Sequence, residues 1–428
     1  MDNVIPVVIG TYYNAYSIVR GFGENGIKSI LITHGENNFV QKSKYIEFVR
    51  VTRNVNLDEE SFIEDLLTLG REIAPAKGMF FPTHDEHLLA IAKYKDKLQE
   101  YFEIPFSDYD ILNSIMDKNS FMCECKRLGI PTIEEIIVHN YKDAEHALEK
   151  LGTPILVKVN QWDKEIINGL GDKINIFTDG KDYLNTMKLF FETVHKGVLL
   201  VQEYIKDTNV LMPTVNSFTD KDGKMQCIYV GEKLRQFPPQ TGTSTSYYAR
   251  DPQDPKYKGI IEYTKRIVKE YHFYGLFGIE YKYDPKEGVY KIIEMNCRSE
   301  FPNYLQTLVG QNMAFEIYKY HIGQRVTVPY YPIMTSAMTI VPLLDWFYVR
   351  KYNYYKFPKF TMTQKEWETS LIQPLTLYGL TKNDYFSYVY AYFLAWITAL
   401  TLLFRCKFNV PANLRTRDYL KSKLHIFF

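Results

Sequence analysis

The sequence predicts a chain of the α/β and α+β classes that ends in an aromatic-rich helical region. Three observations predict this class. The first 110 or so residues alternate buried strands with helices, the middle of the chain alternates strands with charged turns, and the last hundred residues are rich in Tyr, Phe and Trp. A chain of 428 residues is long enough for two or three packed domains. We therefore expect three regions, which cover residues 1–110, 111–330 and 331–428.

Composition and charge exclude several classes of protein. Apolar residues make up 46% of the chain and charged residues 24%, which is ordinary for a globular protein and excludes an intrinsically disordered one. A net charge of +1 gives no bulk attraction to nucleic acid. The five cysteines are scattered, as is typical of a reducing compartment. The start MDNVIPVVIG lacks the basic residues and long apolar core of a signal peptide, so we expect a cytoplasmic protein.

The first region begins with a β-α-β pattern. The apolar run at 4–10 predicts a buried strand, the stretch from Ala15 to Asn25 predicts a helix, and residues 29–34 predict a second strand. A further strand at 78–86 and a helix from 93 to 101 extend the same pattern. The first turn, GTYYNAY, is not G-x-G-x-x-G, so a dinucleotide site is not indicated.

The middle region has the pattern of an α+β domain. Residues 119–132 predict a helix that is ended by Gly129 and Pro131. Short apolar segments then alternate with charged turns, and a long antiparallel stretch at 213–250 precedes a helix at about 257–271. Two more strands follow that helix.

Those two strands carry the sharpest group of polar residues. They flank the turn sequence DPKEG (284–288), which predicts a hairpin. The two-residue period of a strand then places Glu280, Glu294, Asn296 and Arg298 on one face. Carboxylate and amide oxygens are the ligands that Mg²⁺ prefers, and the guanidinium of an arginine suits phosphate. On its own the pattern is more typical of a solvated polar sheet face.

Several other residues have the types that contact a nucleotide. Lys158 ends the apolar run PILVK, Lys118 lies just before a predicted helix, and NGLGDK (168–173) has the glycines of a flexible phosphate-covering loop. The strand VLLVQEYI (198–205) ends in polar residues that are suited to adenine. No Walker P-loop is present, and each feature alone is also typical of an ordinary strand end or loop.

The C-terminal region contains an uncharged run of about 20 residues, 385–404, followed by Arg405 and Lys407. Its length is compatible with a buried helix, with shallow membrane association or with a single span. Its many Tyr and Trp side chains favour a membrane interface over a bilayer centre. We expect peripheral attachment at the inner face of the plasma membrane.

The order of these features along residues 4–325 resembles the ATP-grasp superfamily, and IIEMNCR (292–298) is similar to its metal-binding strand. The resemblance implies an ATP-grasp fold behind a Rossmann-like pre-ATP-grasp domain. It also implies roles for individual residues. The implied ATP contacts are Lys118, Lys158, Lys173, Gln202, Glu203 and Asp207, where Asn209 is an alternative to Asp207; the implied Mg²⁺ ligands are Glu280, Glu294 and Asn296; the implied contacts to the transferred phosphate are Arg235 and Arg298.

Within the superfamily the chain looks most like the D-aspartate ligase type of carboxylate–amine ligase. The sequences that carry this closer resemblance are PTHDE (82–86), LRQFPPQTG (234–242) and KNDYF (382–386). The resemblance implies that ATP and Mg²⁺ activate a carboxylate, for example that of D-aspartate, as an acyl-phosphate. An amine of a cell-wall peptide precursor, in some cases lipid-linked, then attacks it.

Two other functions remain open at the level of sequence. A ligase of the same chemistry could attach an amino acid to a surface glycan or a teichoic-type polymer. An ATP-grasp domain without turnover could act as a nucleotide-binding module, although the intact set of acids, amide and arginine argues against this. ATP turnover separates the third function from the first two, and a screen of acceptors separates those two from each other.

Overall fold

The fold is described from a computed structural model of the full chain. The residues that the structure describes are 4–35, 38–159, 170, 174–194, 197–205, 212–237, 243–300, 303–341, 345, 364–371, 375–376 and 380–407. They form two compact units. Unit 1 comprises Met1–Pro131, Leu211–Tyr283 and Ile292–Trp396; unit 2 comprises Thr132–Val210, Asp284–Lys291 and Ile397–Phe428. The three-region division at about 110 and 330 stays a prediction.

The N-terminal part of unit 1 is a parallel sheet with helices, as the β-α-β pattern predicts. Its strands pair in the order β3-β2-β1-β4-β5. The strands are β1 (Val4–Ile9), β2 (Ser29–Thr33), β3 (Ile46–Val51), β4 (Lys77–Pro82) and β5 (Phe102–Glu103). The helices are α1 (Tyr12–Gly23), α2 (Glu59–Ile73), α3 (Asp85–Lys93), α4 (Lys95–Leu98), α5 (Tyr109–Met116) and α6 (Lys118–Arg127).

One prediction for this part is wrong. The strand expected at 78–86 ends at Pro82, and helix α3 begins at Asp85. Two acidic residues, Asp85 and Glu86, occupy the first turn of α3, where negative charge stabilises the N-terminus of a helix. Gly10, at the end of β1, lies against the start of the same segment. A Cβ on Gly10 would lie 1.9 Å from Thr83 Oγ1, so only glycine allows the two strand ends to approach this closely.

The rest of unit 1 is a mostly antiparallel sheet of seven strands in the order β14-β13-β10-β11-β12-β15-β16. Its strands are β10 (Met212–Thr219), β11 (Tyr229–Phe237), β12 (Thr243–Arg250), β13 (Gly275–Asp284), β14 (Val289–Asn296), β15 (Met338–Ile340) and β16 (Leu375–Thr376). Its helices, numbered after two that belong to unit 2, are α9 (Lys258–Glu270), α10 (Tyr304–Leu308), α11 (Met313–His321), α12 (Gln364–Thr369) and α13 (Tyr385–Lys407), of which the residues from Ile397 onward belong to unit 2.

A continuous hydrophobic core joins the two sheets of unit 1. It contains Val8 and Phe22 from the first sheet with its helices, Tyr229 and Tyr247 from the second, and Ile317 from helix α11. Residues of the inner strands of the first sheet therefore share one core with residues of the second sheet. Short 3-10 turns at Phe39–Lys42 and Pro255–Tyr257 complete the unit.

Unit 2 contains an antiparallel sheet of four strands in the order β6-β9-β7-β8. The strands are β6 (Glu135–Val138), β7 (Ile155–Val159), β8 (Ile174–Phe177) and β9 (Leu199–Glu203), and its helices are α7 (Tyr141–Leu151) and α8 (Gly180–Thr193). Each strand coincides with a short apolar segment of the sequence. Buried Tyr183 and Phe190 of α8 pack with the apolar residues of these strands.

The C-terminal region differs from the helical region that the sequence predicts, because it also supplies two strands. Strand β15 pairs with β12 through Ser246 and Ile340, so the region completes the edge of the second sheet. Helix α13 covers the uncharged run, and its Ala391 is buried in the core of unit 1. No helix among the described residues has both the length and the apolar character needed to cross a membrane.

Candidate active site

The site is built on strands β10, β13 and β14 of the second sheet. Register pairs Thr214 with Glu280 and Asn216 with Gly278, so the side chains of these positions share one face. The opposite face of β13 is apolar: Ile279 and Tyr281 are fully buried, and the Tyr281 hydroxyl lies 2.9 Å from a hydroxyl of helix α9. Packing of that face holds the polar face in a fixed orientation.

The two carboxylates of the polar face each have a lysine beside them. Lys118 Nζ, at the start of helix α6, lies 3.7 Å from Glu294 Oε2. Lys233 Nζ, on strand β11, lies 4.0 Å from Glu280 Oε2. Asn296 Nδ2 lies 3.4 Å from Glu294 Oε1. The structure thus brings together four of the sequence-predicted site residues, and it adds Lys233, which sequence reasoning missed.

Arg298 joins this group to the first sheet. Its Nε donates to Asp85 Oδ1 at 2.6 Å, and its Nη2 lies 3.3 Å from Asp85 Oδ2 and 3.4 Å from Asn296 Oδ1. Burial lowers the pKa of this guanidinium, but the adjacent Asp85 carboxylate raises it, and the net result is a pKa above the ordinary value. Asp85 belongs to the PTHDE segment. The sequence marks that segment as unusual but does not reveal that it contacts an arginine more than 200 residues away.

Asn14 connects the start of helix α1 to the residues that follow strand β14. Asn14 Nδ2 donates to the Ser299 carbonyl at 2.9 Å, and Asn14 Oδ1 accepts from Asn303 Nδ2 at 3.1 Å. Tyr12 precedes it with a φ of 58°, a left-handed conformation that non-glycine residues adopt at a cost. The first turn of the protein therefore helps to hold the backbone beside Arg298.

Glu300 is a buried carboxylate at the same place. It accepts hydrogen bonds from Asn216 Nδ2 and, at 2.6 Å, from Asn296 Nδ2. Burial, together with the nearby charge of Glu280, raises its pKa to about 8. A Cβ on Gly278 would lie 1.8 Å from Glu300 Oε2, so the missing side chain of Gly278 provides the space for this carboxylate. Sequence reasoning did not select Glu300.

The structure does not bring Arg235 to this group. Lys233 pairs with Tyr247 and Arg235 with the adjacent Ser246, and these two neighbours on one strand face opposite sides of the sheet. An irregularity of the β-bulge kind between Lys233 and Arg235 thus turns the arginine to the other face. There its Nε and Nη2 donate to Asp345 at 2.8 and 2.6 Å, and its side chain is only 1% exposed.

The other predicted nucleotide contacts belong to unit 2. Lys158 lies in β7, is half-buried, and pairs across the sheet with Leu200. Gln202 Nε2 donates to Glu135 Oε2 at 2.6 Å. Glu203 Oε1 accepts from the Glu134 amide and from Lys291 Nζ, both at 2.9 Å. Lys173, Asp207 and most of the loop 168–173 lie outside the described residues.

Lys291 is the centre of a cluster of carboxylates in unit 2. Its Nζ lies 2.9 Å from Asp284, 2.7 Å from Glu287 and 2.9 Å from Glu203, and its side chain is 4% exposed. Burial opposes its charge, but hydrogen bonds to these carboxylates raise its pKa above the ordinary value. The Glu203 carboxylate is therefore already held by a buried lysine.

The donor chemistry of the polar face fits Mg²⁺ with a phosphorylated ligand. Two carboxylates and an amide oxygen are hard oxygen donors, and Mg²⁺ usually completes its six-coordinate shell with water and phosphate oxygens. Among the described residues no three His, Cys, Asp or Glu side chains group closely enough to hold a metal ion by themselves. Two carboxylates and one amide leave coordination positions of a six-coordinate ion for water and phosphate oxygens.

Comparison with known proteins identifies the middle of the chain. Residues 117–326 match the family model of the carbamoyl-phosphate synthase L chain, ATP binding domain. The D-aspartate ligase of Enterococcus faecium (strain Aus0004) is 25% identical over 325 residues, which cover 73% of this chain and 75% of that protein.

Solved structures confirm the fold class. A biotin carboxylase from Campylobacter jejuni has a TM-score of 0.58 at 17% identity, over 75% of this chain and 72% of that one. An L-amino acid ligase from Bacillus licheniformis has a TM-score of 0.58 at 16% identity, over 75% of both chains. The chain therefore has the ATP-grasp fold, and its residues 117–326 match an ATP-binding domain of this kind.

Proposed function

We propose that this enzyme activates the side-chain or main-chain carboxylate of an acidic amino acid, D-aspartate first, and joins it to an amine of a cell-wall peptide precursor. The observation that carries the proposal is the convergence of Glu280, Glu294, Asn296, Lys118 and Arg298 at one end of the second sheet. The similarity to a D-aspartate ligase along 73% of the chain supports the choice of substrate.

In the proposed reaction a carboxylate oxygen attacks the γ-phosphorus of ATP, the bond to the β-phosphate oxygen breaks, and ADP leaves. The amine then attacks the carbonyl carbon of the acyl-phosphate, loses a proton, and displaces inorganic phosphate as the amide bond forms. Negative charge spreads over the transferring phosphoryl group, and fixed positive charges stabilise it.

The residues take the following roles. Glu280, Glu294 and Asn296 hold Mg²⁺, which supplies charge neutralisation for the phosphate oxygens. Lys118 contacts the phosphates from the start of helix α6, beside Glu294. Arg298, whose orientation is fixed by the two oxygens of Asp85, holds the carboxylate or its phosphate.

Lys233 provides a further positive charge beside the proposed metal ligands. Because Arg235 is bound to Asp345 on the opposite face of the sheet, we assign Lys233 the phosphate contact that the sequence suggested for Arg235. Lys158, Gln202 and Glu203 keep their predicted roles in nucleotide binding, as do Lys173 and Asp207.

We further propose that the enzyme docks on the inner face of the plasma membrane through helix α13. One side of the helix is held by the protein, since Ser387 Oγ donates to the Phe39 carbonyl at 2.6 Å. The other side exposes large apolar side chains at helical spacing; these are Phe386 (73% exposed), Val389 (45%), Phe393 (56%) and Trp396 (57%). Aromatic side chains on an amphipathic surface helix favour the membrane interface, where a lipid-linked acceptor would be found.

A hydroxamate assay tests the proposed reaction. The protein is incubated with ATP, Mg²⁺, hydroxylamine and one amino acid at a time, because hydroxylamine converts an acyl-phosphate into a hydroxamate, which forms a coloured complex with ferric ion. We expect D-aspartate to give an ATP-dependent hydroxamate and the Glu294→Gln variant to give none. If a different amino acid alone is active, the substrate is wrong but the ligase chemistry stands; if no carboxylate is active, the proposed reaction is wrong.

A further inference from the structure

Asn296, the amide ligand of the proposed metal site, loses its metal-binding atom if its side-chain amide turns the wrong way. The amide of an asparagine has an oxygen, which can bind Mg²⁺, and a nitrogen, which cannot. A turn of 180° about the last side-chain bond exchanges the two atoms with little change of shape. A site that uses an asparagine therefore needs something that distinguishes the two ends of the amide.

The distinguishing contact in this protein is Glu300. Asn296 Nδ2 donates to Glu300 Oε1 at 2.6 Å, while Asn296 Oδ1 faces the guanidinium of Arg298 at 3.4 Å. Each oxygen of Glu300 accepts an amide N–H, Oε1 from Asn296 and Oε2 from Asn216, and a guanidinium only donates. The contacts with Glu300 and with Arg298 favour the same orientation of the Asn296 amide, in which the nitrogen faces Glu300 and the oxygen faces Arg298.

Glu300 is itself held in place by two neighbours from the sheet. Asn216 Nδ2 donates to its other oxygen, Oε2. Register pairs Asn216 with Gly278 directly across the strands, two residues before the pair Thr214 and Glu280. Because Gly278 has no Cβ, the Glu300 carboxylate can lie over its backbone, at a point where an added Cβ would be 1.8 Å from Oε2 and 2.3 Å from Asn216 Nδ2.

We propose that Glu300 is a positioning residue, which orients the Asn296 amide so that the amide oxygen is available to Mg²⁺. Gly278 leaves the space that Glu300 occupies, and Asn216 holds Glu300 there by a hydrogen bond. This inference rests on the metal site of the proposed function and deepens it. Residues that orient a metal ligand without touching the metal usually change metal affinity by roughly 10- to 100-fold when they are replaced.

The test measures the affinity of the protein–ADP complex for Mn²⁺, from the electron paramagnetic resonance signal of the free ion, and does not depend on turnover. We expect Glu300→Ala to weaken Mn²⁺ binding by roughly 10- to 100-fold. We expect the double variant Asn296→Asp with Glu300→Gln to bind Mn²⁺ more tightly than Glu300→Ala. In that variant the carboxylate at position 296 offers an oxygen whichever way it turns, and the amide at position 300 can donate to it.

A second perturbation removes no hydrogen-bonding group. Gly278→Ala should displace Glu300 and weaken Mn²⁺ binding in the same direction, so the proposal stays testable if Glu300→Ala does not fold. Parental affinity in Glu300→Ala or, if that variant does not fold, in Gly278→Ala would overturn the proposal, and so would a double variant that binds Mn²⁺ as weakly as Glu300→Ala. Failure of the metal site itself is distinguishable, because Glu294→Gln would then also leave Mn²⁺ affinity unchanged.

Discussion

The buried pair of Arg235 and Asp345 gives a prediction about stability that can be worked from the structure. The two side chains are 1% and 0% exposed. Asp345 accepts four hydrogen bonds, two from Arg235, one from Thr245 Oγ1 at 2.7 Å and one from Trp367 Nε1 at 2.8 Å. Asp345→Asn would remove the counter-charge of a buried guanidinium and would turn an NH₂ group toward at least one of these donors.

Removal of one partner from a buried ion pair costs about 3–5 kcal/mol, because the other charge stays buried without compensation. Native domains are stable by about 5–15 kcal/mol, so the loss is a large fraction of the total. We expect the urea midpoint of Asp345→Asn to fall by an amount on the order of 1 M or more. Fluorescence is a convenient measurement, since Trp367 lies at the pair.

A matched control comes from the surface of helix α9. Lys265 and Glu262 form an ion pair at 2.8 Å with side chains that are 41% and 55% exposed. Glu262→Gln should change the free energy of unfolding by less than about 1 kcal/mol, as is usual for exposed pairs. If Asp345→Asn is as stable as this control, the pair of Arg235 and Asp345 does not stabilise the fold. That result would refute our reason for assigning the phosphate contact to Lys233 and not to Arg235.

Three further predictions concern unit 2 and the C-terminal helix. Lys158→Ala should weaken ATP binding in calorimetry, because a lysine at a strand end can act as a point charge on phosphate, whereas Lys181→Ala on the exposed side of α8 should not; equal affinity in the two would count against the role of Lys158. Burial opposes the charge of Asp284, but Lys291 and backbone hydrogen bonds lower its pKa, so its contribution to stability is present above the unfolded pKa of about 4 and is lost as the pH falls through the lower folded value. Lys291→Met should flatten this acid dependence of the unfolding midpoint, and an unchanged profile would refute the assignment. Phe393→Asp should reduce binding to vesicles with anionic lipid while turnover in solution stays parental, and equal sedimentation with vesicles would argue against docking through α13.

Local pattern was sufficient to predict most of the fold. The strands of unit 2 coincide with apolar runs such as PILVKVN and VLLVQEYI, because a short strand buried in a sheet must be apolar along its length. The hairpin of β13 and β14 follows from a turn sequence between two alternating strands. The end of β4 was missed because PTHDE directly follows the apolar run GMFF, and only the acidic first turn of α3 marks the change.

The site was predictable where one element carries it. Glu280, Glu294 and Asn296 share a face because the strand period is two, and this period is visible in the sequence. Contacts between distant segments were not predictable. Asp85 and Arg298 are 213 residues apart, and Asp345 is 110 residues from Arg235.

The position of Arg235 shows a second limit of the sequence. A regular strand would place Lys233 and Arg235 on the same face, but the irregularity in the pairing of β11 with β12 separates them. Such an irregularity depends on the partner strand rather than on the residues that form it. The role of Glu300 could not be predicted for a related reason, since the residues that surround its side chain, Asn216 and Gly278, lie on other segments of the chain.

The central claim is that the polar face of the hairpin holds the Mg²⁺ that supports phosphoryl transfer. The measurement that tests it most directly is ADP release by Glu294→Gln, with ATP, Mg²⁺ and the active amino acid, in protein whose thermal midpoint is parental. Glu294 is half-buried beside Lys118 and Asn296, so an amide should be accommodated without loss of the fold. We predict that turnover is abolished while the fold is kept; turnover near that of the parent protein would contradict the assignment of the site.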